Sequence, residues 1–383
     1  MRGRPFRYLR TVLIAIAVIV ALISIAIIGV RVWLMNRYVH AVSSSASQDT
    51  CVTVPGVPHP EDIEVDWARQ RAFTGALFDC GELKQGIYRI DLTHGRTLKN
   101  VTPPEMAHKV RALGLSLYTA PDGRQKLFAV NRAPVSDLSL PTEHSVQIFD
   151  VAEDGTLTLD TEVKGAEIYN PDALVAVGPK QFYLTNDHVG LDSDLDTWFD
   201  QMYFLLGLDT SSNLIFFDGE KFKTVVDGLR LADGIDQSLD GNKIYVAEGF
   251  GRSLTTFARD PRTNDLKFIS KTMLPGAPDN IRVTPEGKLL VAVFPDMVQM
   301  LKYLTSGRGA KRPSAAVLEL TPRGNTFDIR HVWSDDGERI TAVTVGAPYA
   351  KHADRYSLLL GTISPEDNLV LACVPGTAGS NAQ

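Results

Sequence analysis

The sequence predicts an all-β fold, a six-bladed β-propeller, preceded by one N-terminal transmembrane helix. Three observations carry this expectation: a short β-rich run that recurs six times, a Gly-containing turn in front of most copies, and one uncharged apolar stretch at the start of the chain.

The recurring runs are AFTGA (72–76), LFAVN (127–131), FYLTN (182–186), IYVAE (244–248), LLVAV (289–293) and LLLGT (358–362). Their starts lie 45 to 69 residues apart, the spacing of a supersecondary repeat rather than of single strands. Turns precede most of them: PDG at 121–123, GPK at 178–180, LDGNK at 239–243 and PEGK at 285–288. A second strand-like run stands before the turn, as in IEV (63–65), ALVAV (173–177) and NIRV (280–283). Each unit therefore reads strand, turn, strand, with room for two further strands. Amphipathic helices are scarce between units; LDTWFDQMYFLLGL (195–208) is the best candidate, expected to roof the propeller mouth. Six hairpin units without alternating helices favour a propeller over a sandwich or a parallel α/β fold.

At the N-terminus, Arg2, Arg4, Arg7 and Arg10 precede TVLIAIAVIVALISIAIIGV (11–30). A helix of that length crosses the roughly 30 Å hydrocarbon core of a bilayer. A cleaved secretory signal is the alternative, but its apolar region is shorter and ends at a small-x-small site, whereas Arg31, Val32, Trp33 and Leu34 follow here. The sequence thus favours an uncleaved signal anchor, with the arginines holding the N-terminus in the cytoplasm and the body extracytoplasmic. The expected organisation is a cytoplasmic basic segment (1–10), the anchor (11–30), a linker (31–50), the propeller (51–375) and a flexible tail (376–383).

The chain has 383 residues, 44% hydrophobic and 22% charged, a globular composition. The first fifty residues hold six basic residues and one acidic; without them 33 basic and 44 acidic remain, a net of −11. Such a body lacks the basic footprint that phosphate backbones require, so nucleic acid is excluded as a partner. There are three cysteines. Cys51 opens the globular region and Cys373 lies near its end, so in an oxidising compartment a bridge between them would tie the termini together; three unrelated thiols is the other reading.

In a propeller the innermost strand of each blade lines the central channel, and residues just before these strands converge. Those residues are Glu61 and Asp62 in HPEDIEVD, Leu113 in RALGLSL, Asp172 in YNPDALVAVG, Asp233 in LADGIDQS, Asp279 and Asn280 in APDNIRV, and Thr341 in the last unit. Converging carboxylates repel unless protonated or neutralised by a cation. An all-oxygen set without His or Cys suits Ca²⁺. For any single site, an Asp before Gly that bonds its own turn is an adequate explanation; a matching set across blades points to metal.

The run YNPDALVAVGPKQFYLTNDH (169–188), with LADGIDQSLDGNKIYVAE and APDNIRV, resembles the serum paraoxonase/arylesterase family and, more distantly, the SMP-30/gluconolactonase group. The resemblance implies a six-bladed propeller with two calcium ions in its tunnel, a disulfide closing the ring (Cys51 with Cys373), and hydrolysis of lactones and aryl esters at the outer calcium. It puts the ligands of that calcium on Glu61, Asp172, Asp233, Asp279 and Asn280. The family carries Asn where Asp172 and Asp233 stand. The second calcium maps to Asp62, the Leu115 carbonyl and Ala173, where the family has Asp. A histidine pair that activates water in the family corresponds to Leu113 and Arg132, and a further pocket histidine to Phe294. None of these three can relay a proton at neutral pH.

Two routes to hydrolysis follow. In one, calcium polarises the ester carbonyl and Asp233 or Asp279 takes the proton of the attacking water. In the other, Asp187 and His188 of TNDH, which match family residues lining the site, supply the base; His188 has a purely structural reading as well. The expected function is a membrane-anchored, calcium-dependent hydrolase of small lactones or aryl esters. A non-catalytic, calcium-stabilised binding propeller is the competing class, because one fold hosts many functions.

Overall fold

A computed structural model of the chain describes residues 4–36, 49–132, 144–188, 207–306, 309–364 and 366–375. Helix α1 (Arg4–Asn36) comes first. Within it Arg10–Val30 has mean hydropathy 3.2 and no buried residue, making it the one helix among the described residues that could span a membrane.

The rest forms six four-stranded antiparallel sheets. Blade one is β2 to β5 (Ile63–Asp66, Arg71–Ala76, Gly86–Asp91, Leu98–Asn100), and blade two is β6 to β9 (Ala112–Thr119, Gln125–Asn131, Ser145–Val151, Leu157–Val163). Blade three is β10 to β13 (Pro171–Ala176, Phe182–Asn186, Ser212–Phe217, Phe222–Leu229), and blade four is β14 to β17 (Ala232–Gln237, Lys243–Glu248, Ser253–Arg259, Leu266–Met273). Blade five is β18 to β21 (Ala277–Val283, Leu289–Phe294, Ala315–Arg323, Thr326–Asp335). In blade six, β22 to β24 (Val343–His352, Arg355–Thr362, Leu369–Val374) are completed by the N-terminal β1 (Thr50–Pro55), which pairs with β24. This exchange closes the ring: Cys51 lies opposite Cys373 in the ladder, and the two form a disulfide. All six sequence runs are the second strands of their blades.

Burial explains the pattern. Strands β18 and β19 are almost wholly buried because neighbouring blades cover both faces, and β19, LLVAVF, reads as a continuous apolar run. The outermost β17 is largely exposed or half-buried. Each of the six blade interfaces holds its own apolar cluster, exemplified by Phe128 against Phe182 between blades two and three and Trp333 with Leu358 between blades five and six. The hairpin turns need left-handed residues, and Gly241 (φ 69°) and Gly287 (φ 77°) supply them.

Most of the 195–208 segment lies outside the described residues, as do 37–48 of the linker and the 376–383 tail. Between β19 and β20 the chain forms helix α2 (Met297–Ser306), whose Tyr303 is buried and bonded to Ser364. The apolar stripe Met297, Met300, Leu301 and Leu304 has helical spacing and folds this stretch onto the propeller.

Candidate metal centre and active site

The site is built on one irregularity repeated around the ring. In β10 the pairing with β11 shifts register between Pro171 and Leu174; in β14 the shift lies between Ala232 and Ile235, and in β18 between Pro278 and Ile281. Asp172, Asp233 and the Asp279–Asn280 pair occupy these bulges. A bulge frees residues from the ladder and re-aims their side chains, here toward the channel. Blade two has the same bulge, between Ala112 and Leu115, but it holds Leu113, which is buried in the apolar cluster between blades two and three.

Glycines permit the close approach. A Cβ on Gly249 would come within 2.6 Å of the Asp233 Oδ2, and one on Gly234 within 2.5 Å of the Asp279 carbonyl oxygen.

Asp172, Asp187 and Asp233 each place a carboxylate oxygen within 4.8 Å of the others. Glu61 accepts a 2.7 Å bond from the Asn280 amide through Oε1, while its buried Oε2 has no partner. Arg132 lies beside the cluster, 3.2 Å from Asp187 and 3.4 Å from Asp172, and also bonds Asn170. His188 Nδ1 is 2.7 Å from the Asp187 carboxylate, and the Asn170 amide faces the imidazole.

These carboxylates line the floor of a cavity of about 210 Å³. Its walls are apolar, formed by Leu231, Phe294, Ile363 and, from α2, Met297, Met300 and Leu304. Residues 93–367 match the family described as Arylesterase. The chain belongs to the arylesterase family.

Serum paraoxonase/arylesterase 1 of Rattus norvegicus is 28% identical to this family member over 255 residues, 65% of each chain. The Homo sapiens protein of the same name is 28% identical over 254 residues, again 65% of each. The chain thus aligns with somewhat under two thirds of the length of these curated relatives. Among solved structures, a luciferin-regenerating enzyme superimposes with a TM-score of 0.52 at 14% identity, covering 86% of this chain and 96% of the other; the likeness is one of fold. The matched region of the arylesterase family begins after Glu61 and Asp62, the blade-one residues of the site.

The electrostatics of the arylesterase cluster fit a hard dication. Burial, with the Asp187 charge next, pushes the Asp172 carboxyl up to about 7. Glu61 is raised well above its ordinary value by burial and then by Asp172, Asp279 and Asp62. Asp233 and Asp279 are raised likewise by burial first and then by Asp172. Burial opposes ionisation of Asp187 too, but Arg132 and His188 outweigh it and leave that group below the usual range. An all-oxygen set with an unpartnered Glu61 Oε2 is chemically suited to calcium, which takes about 6–8 oxygens in irregular geometry.

The second calcium site expected at Asp62 and Leu115 does not fit. The Arg282 Nη2 lies 2.5 and 2.6 Å from the two Asp62 oxygens and 3.3 Å from the Leu115 carbonyl, so a guanidinium stands among the proposed ligands. Ala173 offers no oxygen from its side chain and packs between blades three and four. Thr341 is also turned away from the site, donating to Pro313. Asp187, read only as a proton-transfer group, joins the carboxylate cluster because it leaves β11 beside Asp172 of the adjoining β10. Nothing in the spacing of the innermost strands pointed to it.

Proposed function

We propose that this arylesterase-family protein hydrolyses carboxylic esters, lactones or aryl esters, in a pocket that holds one calcium ion. One observation carries the reading: carboxylates from four blades, Glu61, Asp172 with Asp187, Asp233 and Asp279, meet beneath an apolar-walled cavity. Glu61, Asp172, Asp233, Asp279 and Asn280 would hold the ion. When bound, calcium supplies a Lewis acid for a carbonyl oxygen and positive charge for the oxyanion.

The chain's own residues do the rest. Phe294, Met297, Met300 and Leu304 exclude water from the aryl or alkyl part of the substrate and orient its carbonyl toward the floor. Asp233, more exposed to the cavity than Asp279, takes a proton from the attacking water. Arg132 holds Asp187 ionised, and Asp187 with Asn170 fixes the His188 ring, which makes this trio the alternative base. Leu113 and Arg132 leave no histidine dyad to share that task.

We place the propeller outside the cytoplasm, anchored by α1. The apolar Arg10–Val30 span, the arginines before it and the Cys51–Cys373 bridge favour an oxidising compartment. Hydrolysis of phenyl acetate and of γ- and δ-lactones, measured with chelator and after calcium is restored, tests the activity. Turnover of any of them that stops with chelator and returns with calcium is expected; none at all would make the protein a calcium-binding module.

A further inference from the structure

We infer that Arg282 is a built-in cation on the propeller axis, taking the position of a second metal ion, so that this chain binds a single metal ion in its channel. The inference concerns Asp62 and is independent of the reading of the Asp233 centre.

Each nitrogen of the guanidinium donates to an oxygen of the ring. Nε donates to the Ile63 carbonyl at 2.7 Å and Nη1 to the Ile281 carbonyl at 2.8 Å. Nη2 serves both Asp62 oxygens and the Leu115 carbonyl. From β18 in blade five, the side chain thus holds the first strand of blade one and the first strand of blade two. That is the work of a central structural ion, done by a covalently attached group.

Asp62 is saturated as an acceptor. Its Oδ1 also receives the Ile63 N–H and its Oδ2 the Leu115 N–H, both at 2.8 Å. A carboxylate has about four lone-pair directions, and all four are occupied. The nearby acids are engaged as well: Asp236 accepts from the Val283 and Gln237 amides, each at 2.7 Å, and Glu64 faces the Arg282 Nε at 3.4 Å. A metal would have to expel a planar group whose five donors are pre-arranged, and only with that group gone would Asp62 and the Ile63, Ile281 and Leu115 carbonyls be open to a cation. Both Arg282 and Asp62 are buried, so the pair is shielded from competing water and salt.

The full chain in detergent, dialysed against calcium and assayed for metal by mass spectrometry, provides the test, alongside Arg282→Ala. Wild type is expected to bind one calcium per chain. Two would overturn the inference. None would remove the Asp233 centre while agreeing with an axis already filled, so the two readings fail separately. Arg282→Ala is expected to melt below wild type in chelator, and calcium should recover part of that loss with one additional bound ion. A folded Arg282→Ala that responds to calcium no more than wild type does would overturn the inference. Should the variant not fold, the wild-type count decides.

Discussion

The Asn280 amide donates to the Glu61 carboxylate at 2.7 Å, joining blade five to blade one across the floor of the pocket. This bond spans 219 positions in sequence and leaves the other Glu61 oxygen free for a cation. Asn280→Ala removes both a proposed oxygen ligand and the group that orients Glu61. Calcium affinity is expected to fall at least about tenfold, by analogy with the loss of groups that orient metal ligands. Titration calorimetry checks it, and unchanged affinity would count against the assigned centre.

The raised carboxyls make metal-free stability depend on pH. A carboxyl whose pKa is higher in the folded state than in the unfolded one contributes stability at low pH. That contribution is fully present below the unfolded pKa of about 4 and is lost as pH rises through the folded value. For Asp172, pushed up to about 7, the loss runs across the interval between those values, and Glu61, Asp233 and Asp279 act in the same direction. Stability in chelator, followed through the melting temperature, should therefore fall from about pH 4.5 to pH 8, by on the order of a few kcal/mol. Calcium should flatten the profile. A chelated protein that is most stable at the alkaline end would contradict it.

Asp233 and His188 compete for the role of base. Loss of a general base lowers kcat by about 10²–10⁴-fold. Asp233→Asn should show a loss of that size even at saturating calcium, whereas His188→Gln should cost less than tenfold. The reverse pattern in steady-state assays would transfer the role to the Asp187–His188 pair, whose 2.7 Å contact already positions the imidazole.

The Cys51–Cys373 disulfide links residues 322 apart and fastens β1 to β24. Removing such a bridge from a folded domain typically costs about 2–5 kcal/mol. Cys51→Ser should lower the denaturation midpoint by a matching amount, and dithiothreitol should do the same to wild type but not to the variant.

The hairpin repeat was legible because strand, Gly turn and strand are local: AFTGA, IYVAE and LLVAV are buried throughout since two neighbouring blades cover them, and Gly241 and Gly287 mark turns that need positive φ. The ring's symmetry then carries Glu61, Asp172, Asp233, Asp279 and Asn280 toward one end of the axis, and the position of the two terminal cysteines suggested the bridge. Sequence by itself therefore determined the architecture, the apolar N-terminal span and the blades that offer acids to the channel.

Tertiary structure decided which of those acids meet. Bulges at Pro171–Leu174, Ala232–Ile235 and Pro278–Ile281 aim three of them, Asp187 arrives from a second strand, and α2 roofs the pocket with a stripe whose spacing was readable but whose destination was not. Arg282 separates the fates of Glu61 and Asp62, adjacent in sequence: one faces the open cluster and the other is saturated by a guanidinium reached across 220 positions. The periodicity of a strand records which face is buried. It carries no record of the distant group waiting there, because that partner is set by how six blades close around a common axis.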